Sequence, residues 1–214
     1  MNRRYFSSIR RTGICAALIV ATAVLAPASA QAGPLVSSAT GCGPQPLSRT
    51  FLPWLDFADY TMPAGGSFES GTAGWSLKDG AGVVAGNETF HVHGAADSRS
   101  LRLPPGSSAV SSPTCVGLGH PTARLFARRS GGLLSLSALR VDVRFTDAGG
   151  VNRSLPVGVL PGGSSWQPTL PVPVVVNLLT LLPGGQTEVR FAFTPVGSAT
   201  WQIDDFYVDP LRRS

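Results

Sequence analysis

Leu139-Arg140-Val141-Asp142-Val143-Arg144-Phe145 alternates without a break, with Leu139, Val141, Val143 and Phe145 on one side and Arg140, Asp142 and Arg144 on the other. A period of two is the mark of a half-buried β-strand, whose successive side chains point to opposite faces. Val189, Phe191 and Phe193 repeat the pattern against Glu188, Arg190 and Thr194. Outward from these segments the chain is a series of apolar runs punctuated by glycine and proline: 60–63, 74–77, 81–85, 100–103 and 122–128, then 133–145, 154–160, 172–182, 187–194 and 200–208. No stretch after residue 30 holds a 3.6-residue period over the length of a helix. Glycine and proline, 25 and 18 of 214 residues, are too frequent for helices. Run 172–182 is the one that resembles a core helix, but Pro171, Pro173 and Pro183 bracket it and Val174-Val175-Val176 are β-branched. It reads as a strand buried on both faces or an edge strand beginning at Pro173. The pattern predicts an all-β chain, an antiparallel β-sandwich forming one domain over 51–210 with a short tail at 211–214.

The first thirty residues carry a different message. Arg3, Arg4, Arg10 and Arg11 precede an apolar run over 14–25, Pro27 breaks it, and Ala28-Ser29-Ala30 offers a small-x-small cleavage site. This order predicts a signal peptide over 1–30 and a secreted, extracellular mature chain. The run falls short of the roughly 18 apolar residues a membrane span needs, so no stable membrane span is expected. The net charge of +5 comes largely from this segment: 17 cations less its four arginines leave 13 against 12 anions. A mature chain so close to neutral excludes a nucleic-acid partner held by overall charge. Residues 31–50, rich in glycine, proline and serine, read as a flexible N-terminal arm. Removal of Cys15 with the signal leaves Cys42 and Cys115, an even pair in an oxidising compartment, and predicts one disulfide.

Two segments at opposite ends of the domain carry a family resemblance. Ser67-Phe68-Glu69-Ser70-Gly71-Thr72-Ala73-Gly74-Trp75-Ser76-Leu77, with Asp97-Ser98-Arg99-Ser100-Leu101-Arg102-Leu103 after it, resembles the opening of galactose-binding-like jelly-roll modules, many of which are carbohydrate-binding modules. Trp201-Gln202-Ile203-Asp204-Asp205-Phe206-Tyr207-Val208 is similar to their last strand. The resemblance implies a jelly roll and a structural calcium held by Glu69, by Asp204 or Asp205, and by backbone carbonyls. Calcium takes about six to eight oxygens, and two carboxylates plus loop carbonyls would supply them. The stretches 106–120 and 161–173 have no counterpart in those modules.

A saccharide site needs flat aromatic faces for sugar rings and polar groups for hydroxyls. Trp75 and Trp201 sit within strand patterns and read as core, whereas Trp166 follows Gly162-Gly163-Ser164-Ser165 and is the expected exposed stacking platform, with Tyr60 and Tyr207 as lesser candidates. His91 and His93, two apart on an expected strand and close to Glu88 and Asp97, are candidate ligand-binding or metal residues. No Gly-x-Ser-x-Gly elbow or phosphate loop is present, and nothing in the sequence pairs two carboxylates for glycoside hydrolysis. The expectation is a non-catalytic binding module for polysaccharide or cell-wall polymer. Its rival is an envelope-associated protein-interaction domain without a saccharide site, and a hydrolase using His91, His93 and Glu88 stands third.

Overall fold

Strand β7 (Ala138–Thr146), which contains the alternating heptad, pairs antiparallel with β11 (Gln186–Val196), from Val189 opposite Phe145 to Val196 opposite Ala138. The computed structural model describes residues 35–132, 137–180 and 185–209. The expected signal peptide and the tail at 211–214 lie outside the described residues. Around the β7–β11 pair the first sheet runs β1 (Ser76–Lys78), β4 (Ser108–Val110), β11, β7, β8 (Asn152–Leu160), and β5 (Thr114–Gly117) also pairs with β11. The second sheet runs β10 (Val172–Pro173), β6 (Thr122–Ser130), β12 (Thr200–Asp209), β3 (Arg99–Leu103), β2 (Gly82–Ala85), with β9 (Gln167–Pro168) on β6. All pairings are antiparallel, and the two sheets pack as a sandwich around one apolar core. Leu139, Val141, Val143, Val189, Phe191 and Phe193 enter that core from the first sheet. Leu101, Leu103, Leu125, Trp201, Ile203 and Val208 meet them from the second.

The stretch 106–120 without a counterpart supplies β4 and β5, which share one edge of β11. Ser111 bridges the gap between them: its amide donates to the Phe191 carbonyl at 2.8 Å and its Oγ accepts from the Phe191 amide at 2.9 Å. The segment is too short on either side of Pro113 to show a period. Run 172–182 departs from the expected strand. Among the described residues of the run only Val172–Pro173 pairs, at the edge, and after Val175 in a left-handed conformation the chain turns into a 3-10 helix over Val176–Thr180.

From Leu35 the arm is laced to the domain rather than flexible. Val36 is buried and bridges to Asp147, Ser48 pairs with Tyr60, and Cys42 is disulfide-bonded to Cys115 with Cα atoms 5.8 Å apart. A second, aromatic core lies on the outer side of the second sheet. Phe126, whose neighbours Leu125 and Ala127 face the main core, points the other way and gathers Phe51, Tyr60, Trp166 and Tyr207. Phe51 stacks on Phe126 at 5.5 Å and meets Tyr60 edge-on at 4.8 Å.

Strand β12 contains the irregularity that matters most. Trp201 and Ile203 face the core at odd positions, but Phe206 and Val208 do so at even ones. The register with β6 shifts between Asp204 and Tyr207, and Asp205 takes φ 46. One extra residue in a strand reverses the faces beyond it, so the bulge returns the apolar side chains to the core. Among the described residues no helix is long and apolar enough to cross a membrane.

Candidate functional site

The expected stacking platform is absent. Trp166 is 3% exposed, packed in the aromatic core with the Arg128 guanidinium 4.9 Å above its ring. Its glycine- and serine-rich loop folds back over β6 through β9, so the ring fills a cavity instead of facing solvent. Tyr60 and Tyr207 are buried in the same cluster, and the Tyr60 hydroxyl donates to Asp56 Oδ2 at 2.7 Å. Burial, then the Asp56 carboxylate, push the Tyr60 hydroxyl well above its ordinary pKa. Trp75 and Trp201 lie in the main core as expected, and Trp54 packs edge-on against Phe90 and Phe126 at 4.9 and 5.4 Å.

Polar binding capacity gathers instead on the outer face of the first sheet. Arg190 of β11 lies directly opposite Arg144 of β7, and Arg144 opposite Ser154 of β8. With Arg153, Glu188 and Asn152 they line an open groove of about 460 Å³, at whose side Phe145 is half-buried. Arg153 Nε donates to Asp147 Oδ2 at 2.7 Å, and Arg190 Nη1 reaches the Ser111 and Gly74 carbonyls at 3.3 and 3.4 Å. Arg144 is exposed and has no ion pair or hydrogen bond among the described residues. Like charges directly across a strand pair are destabilising on their own, and a bound anion would remove that cost. Guanidinium groups present planar pairs of N–H donors that match a carboxylate. The outward positions of the alternating segments held this row all along, but sequence alone does not say which strands are neighbours.

The candidate metal residues separate into two environments. Glu69 Oε1 accepts from the Ser98 and Arg99 amides at 2.9 and 2.7 Å, and its Oε2 from the Ser98 hydroxyl at 3.4 Å. Asp204 Oδ2 accepts from the Glu88 amide and Oδ1 from the Asp205 amide, both at 2.9 Å. Glu69 and Asp204 therefore each accept hydrogen bonds from backbone amides. The segment holding His91 and His93 is a loop, not a strand, so the two histidines share no face. Buried Glu88 shapes that loop by accepting from the Phe90 and Val92 amides, the latter at 2.7 Å. His91 Nδ1 lies 3.5 Å from the Asn87 amide nitrogen, whereas His93 Nδ1 is 2.7 Å from Asp97 Oδ2.

Asp205 is the unsatisfied member. It is 0% exposed, and neither carboxyl oxygen makes a well-aligned hydrogen bond, although the His93 backbone amide lies close enough to favour its charged form. Burial first, then the charges of Glu88 and Asp97, outweigh the favourable His93 and raise its pKa to about 7. Burial and the adjacent Asp205 raise Asp204 to about 9. Desolvation disfavours the charged form of both, and the few backbone donors they meet do not offset it. Among the described residues, His93, Asp97 and Asp205 are the one group of three or more such side chains that could hold a metal ion, with ligand atoms all within 4.8 Å of one another.

The fold is that of a carbohydrate-binding-module-like jelly roll. The CBM22-1–GH10 modules of endo-1,4-beta-D-xylanase 10B from Clostridium thermocellum, solved with xylohexaose, are similar with a TM-score of 0.50 at 12% identity. That match covers 68% of this chain and 28% of the other, so the chain spans little more than a quarter of that relative's length. The CBM22-1 xylan-binding domain of Paenibacillus barcinonensis Xyn10C aligns with a TM-score of 0.46 at 15% identity, over 70% of this chain and 94% of that one. No protein-family model and no curated protein matches the chain.

Proposed function

We propose that this chain is a secreted, non-catalytic β-sandwich that binds acidic polysaccharide through the groove of Arg144, Arg153 and Arg190. The observation that carries this reading is the Arg190–Arg144–Ser154 row across three strands, with the Arg144 guanidinium unpartnered among the described residues. A uronic acid brings a carboxylate for the arginines and ring hydroxyls for Asn152, Ser154 and Glu188. The N-terminal arginines, apolar run and small-x-small site support export, and the cross-linked arm suits an oxidising compartment.

Affinity electrophoresis in gels containing polygalacturonate, alginate or neutral xylan tests the reading. Retardation in the two acidic gels is expected, with Arg144→Ala weakening it about 10-fold or more. Equal retardation in xylan, or an Arg144→Ala variant that migrates as wild type, overturns it. The protein-interaction reading keeps one observation of its own. Leu55 is 80% exposed in a left-handed conformation, and Phe57, 65% exposed, follows it. Absence of retardation in every gel would favour that surface.

A further inference from the structure

We propose that His93, Asp97 and Asp205 form a site for a divalent transition-metal ion of the zinc type, in place of the oxygen-only calcium site that the resemblance implies. One ligand atom from each of the three side chains lies within 4.8 Å of the others, within reach of a cation bound at about 2.0 to 2.2 Å after small side-chain rotations. Independent of that proximity, Asp205 is fully buried and neither oxygen makes a well-aligned hydrogen bond, the His93 backbone amide being its one donor nearby. A buried carboxylate so poorly served by donors calls for a cation.

The donor set decides which cation. Calcium and magnesium take oxygen ligands, whereas imidazole nitrogen suits zinc, copper, nickel and iron. The remaining oxygens nearby are spent, Glu69 on the Ser98 and Arg99 amides and Asp204 on those of Glu88 and Asp205. One imidazole and two carboxylates would leave a zinc-type ion a fourth position for water, and the ion would replace the 2.7 Å contact that His93 Nδ1 and Asp97 Oδ2 now make with each other. The backbone carrying these ligands is already held. Glu88 closes the loop on the Phe90 and Val92 amides, and the β12 bulge aims Asp205 from beneath. A bound ion would fasten the 86–98 loop to the last strand.

Calorimetric titration of the purified, chelator-stripped protein with Zn2+, and separately with Ca2+, tests the site. One zinc per chain is expected, bound at least about 10-fold more tightly than calcium. His93→Ala, a change on an exposed loop, should lower zinc affinity about 10-fold or more while leaving the β-type circular dichroism intact. Co2+ substituted for Zn2+ should give visible absorption bands that Asp205→Asn abolishes. If Asp205→Asn does not fold, His93→Ala alone decides. Absence of zinc binding, zinc affinity unchanged in His93→Ala, or calcium held more tightly than zinc each overturns the proposal.

Discussion

Trp166 and Arg144 exchange the roles that their neighbours in sequence suggest. A tryptophan after Gly162-Gly163-Ser164-Ser165 looks accessible, yet exposure depends on what folds back beneath it, and here that is Phe126 together with Phe51 and Tyr60. Trp166→Ala is therefore expected to cost about 3 to 5 kcal/mol of stability as a large-to-small core change, read from denaturant unfolding, and not to act through the groove. An unchanged midpoint would mean that the ring is not packed. Asp56 provides a second test at this scale. Burial pushes its carboxyl up, but the Tyr60 hydroxyl, the Ala58 amide and the Arg124 guanidinium outweigh that and hold it below the ordinary 3.8. Because the folded-state pKa is depressed, its stabilising contribution is complete above 3.8 and is lost as pH falls through the folded value. Unfolding midpoints measured downward from pH 5 should fall less steeply in Asp56→Asn than in wild type; equal slopes would remove Asp56 from the acid response.

The strands that alternate cleanly, β7 and β11, were legible because each has one face in the core and one in solvent. Strand β12 was legible as a strand but not in its facing. Strict alternation from Trp201 and Ile203 would carry Asp205 and Tyr207 inward, and only the bulge at Asp205 turns Phe206 and Val208 back to the core. Single-sequence periodicity carries no marker for an inserted residue, so the burial of both Asp204 and Asp205 could not be read from the alternation. The consequence can be tested by two changes at one position. Deleting Asp205 should remove the bulge and leave Trp201, Ile203, Phe206 and Val208 in strict alternation toward the core, so the deletion variant, like Asp205→Asn, should still unfold cooperatively. A deletion variant that loses cooperative unfolding would show that the bulge does more than offset the register by one residue. The cysteine pair was legible by count alone, and it ties the arm to β5 across a sequence separation of 73 residues. Replacing both cysteines by serine should lower stability by about 4 kcal/mol, measured against the oxidised protein in the same denaturant series.

At the scale of the whole molecule, binding class follows from which residues the fold leaves outside. The sandwich architecture was readable from period and punctuation, but the site was not, because it depends on strand order: β11, β7 and β8 become neighbours and line up Arg190, Arg144 and Ser154. None of the four tryptophans is left exposed, so recognition through the groove rests on guanidinium donors rather than on stacked rings. The two modes respond differently to salt. Attraction between exposed charges weakens as the screening length falls from about 10 Å at 0.1 M to about 3 Å at 1 M, whereas ring stacking on apolar faces is largely indifferent to ionic strength. Retention on polygalacturonate should therefore fall steadily as sodium chloride is raised from about 0.05 to 0.5 M, on the scale of that screening. Arg144→Lys should bind more weakly than wild type although it keeps the charge, because an ammonium cannot grip a carboxylate with two parallel donors. Salt-insensitive retention would place the contact on an apolar surface, with the exposed Leu55 and Phe57 turn as the first segment to mutate.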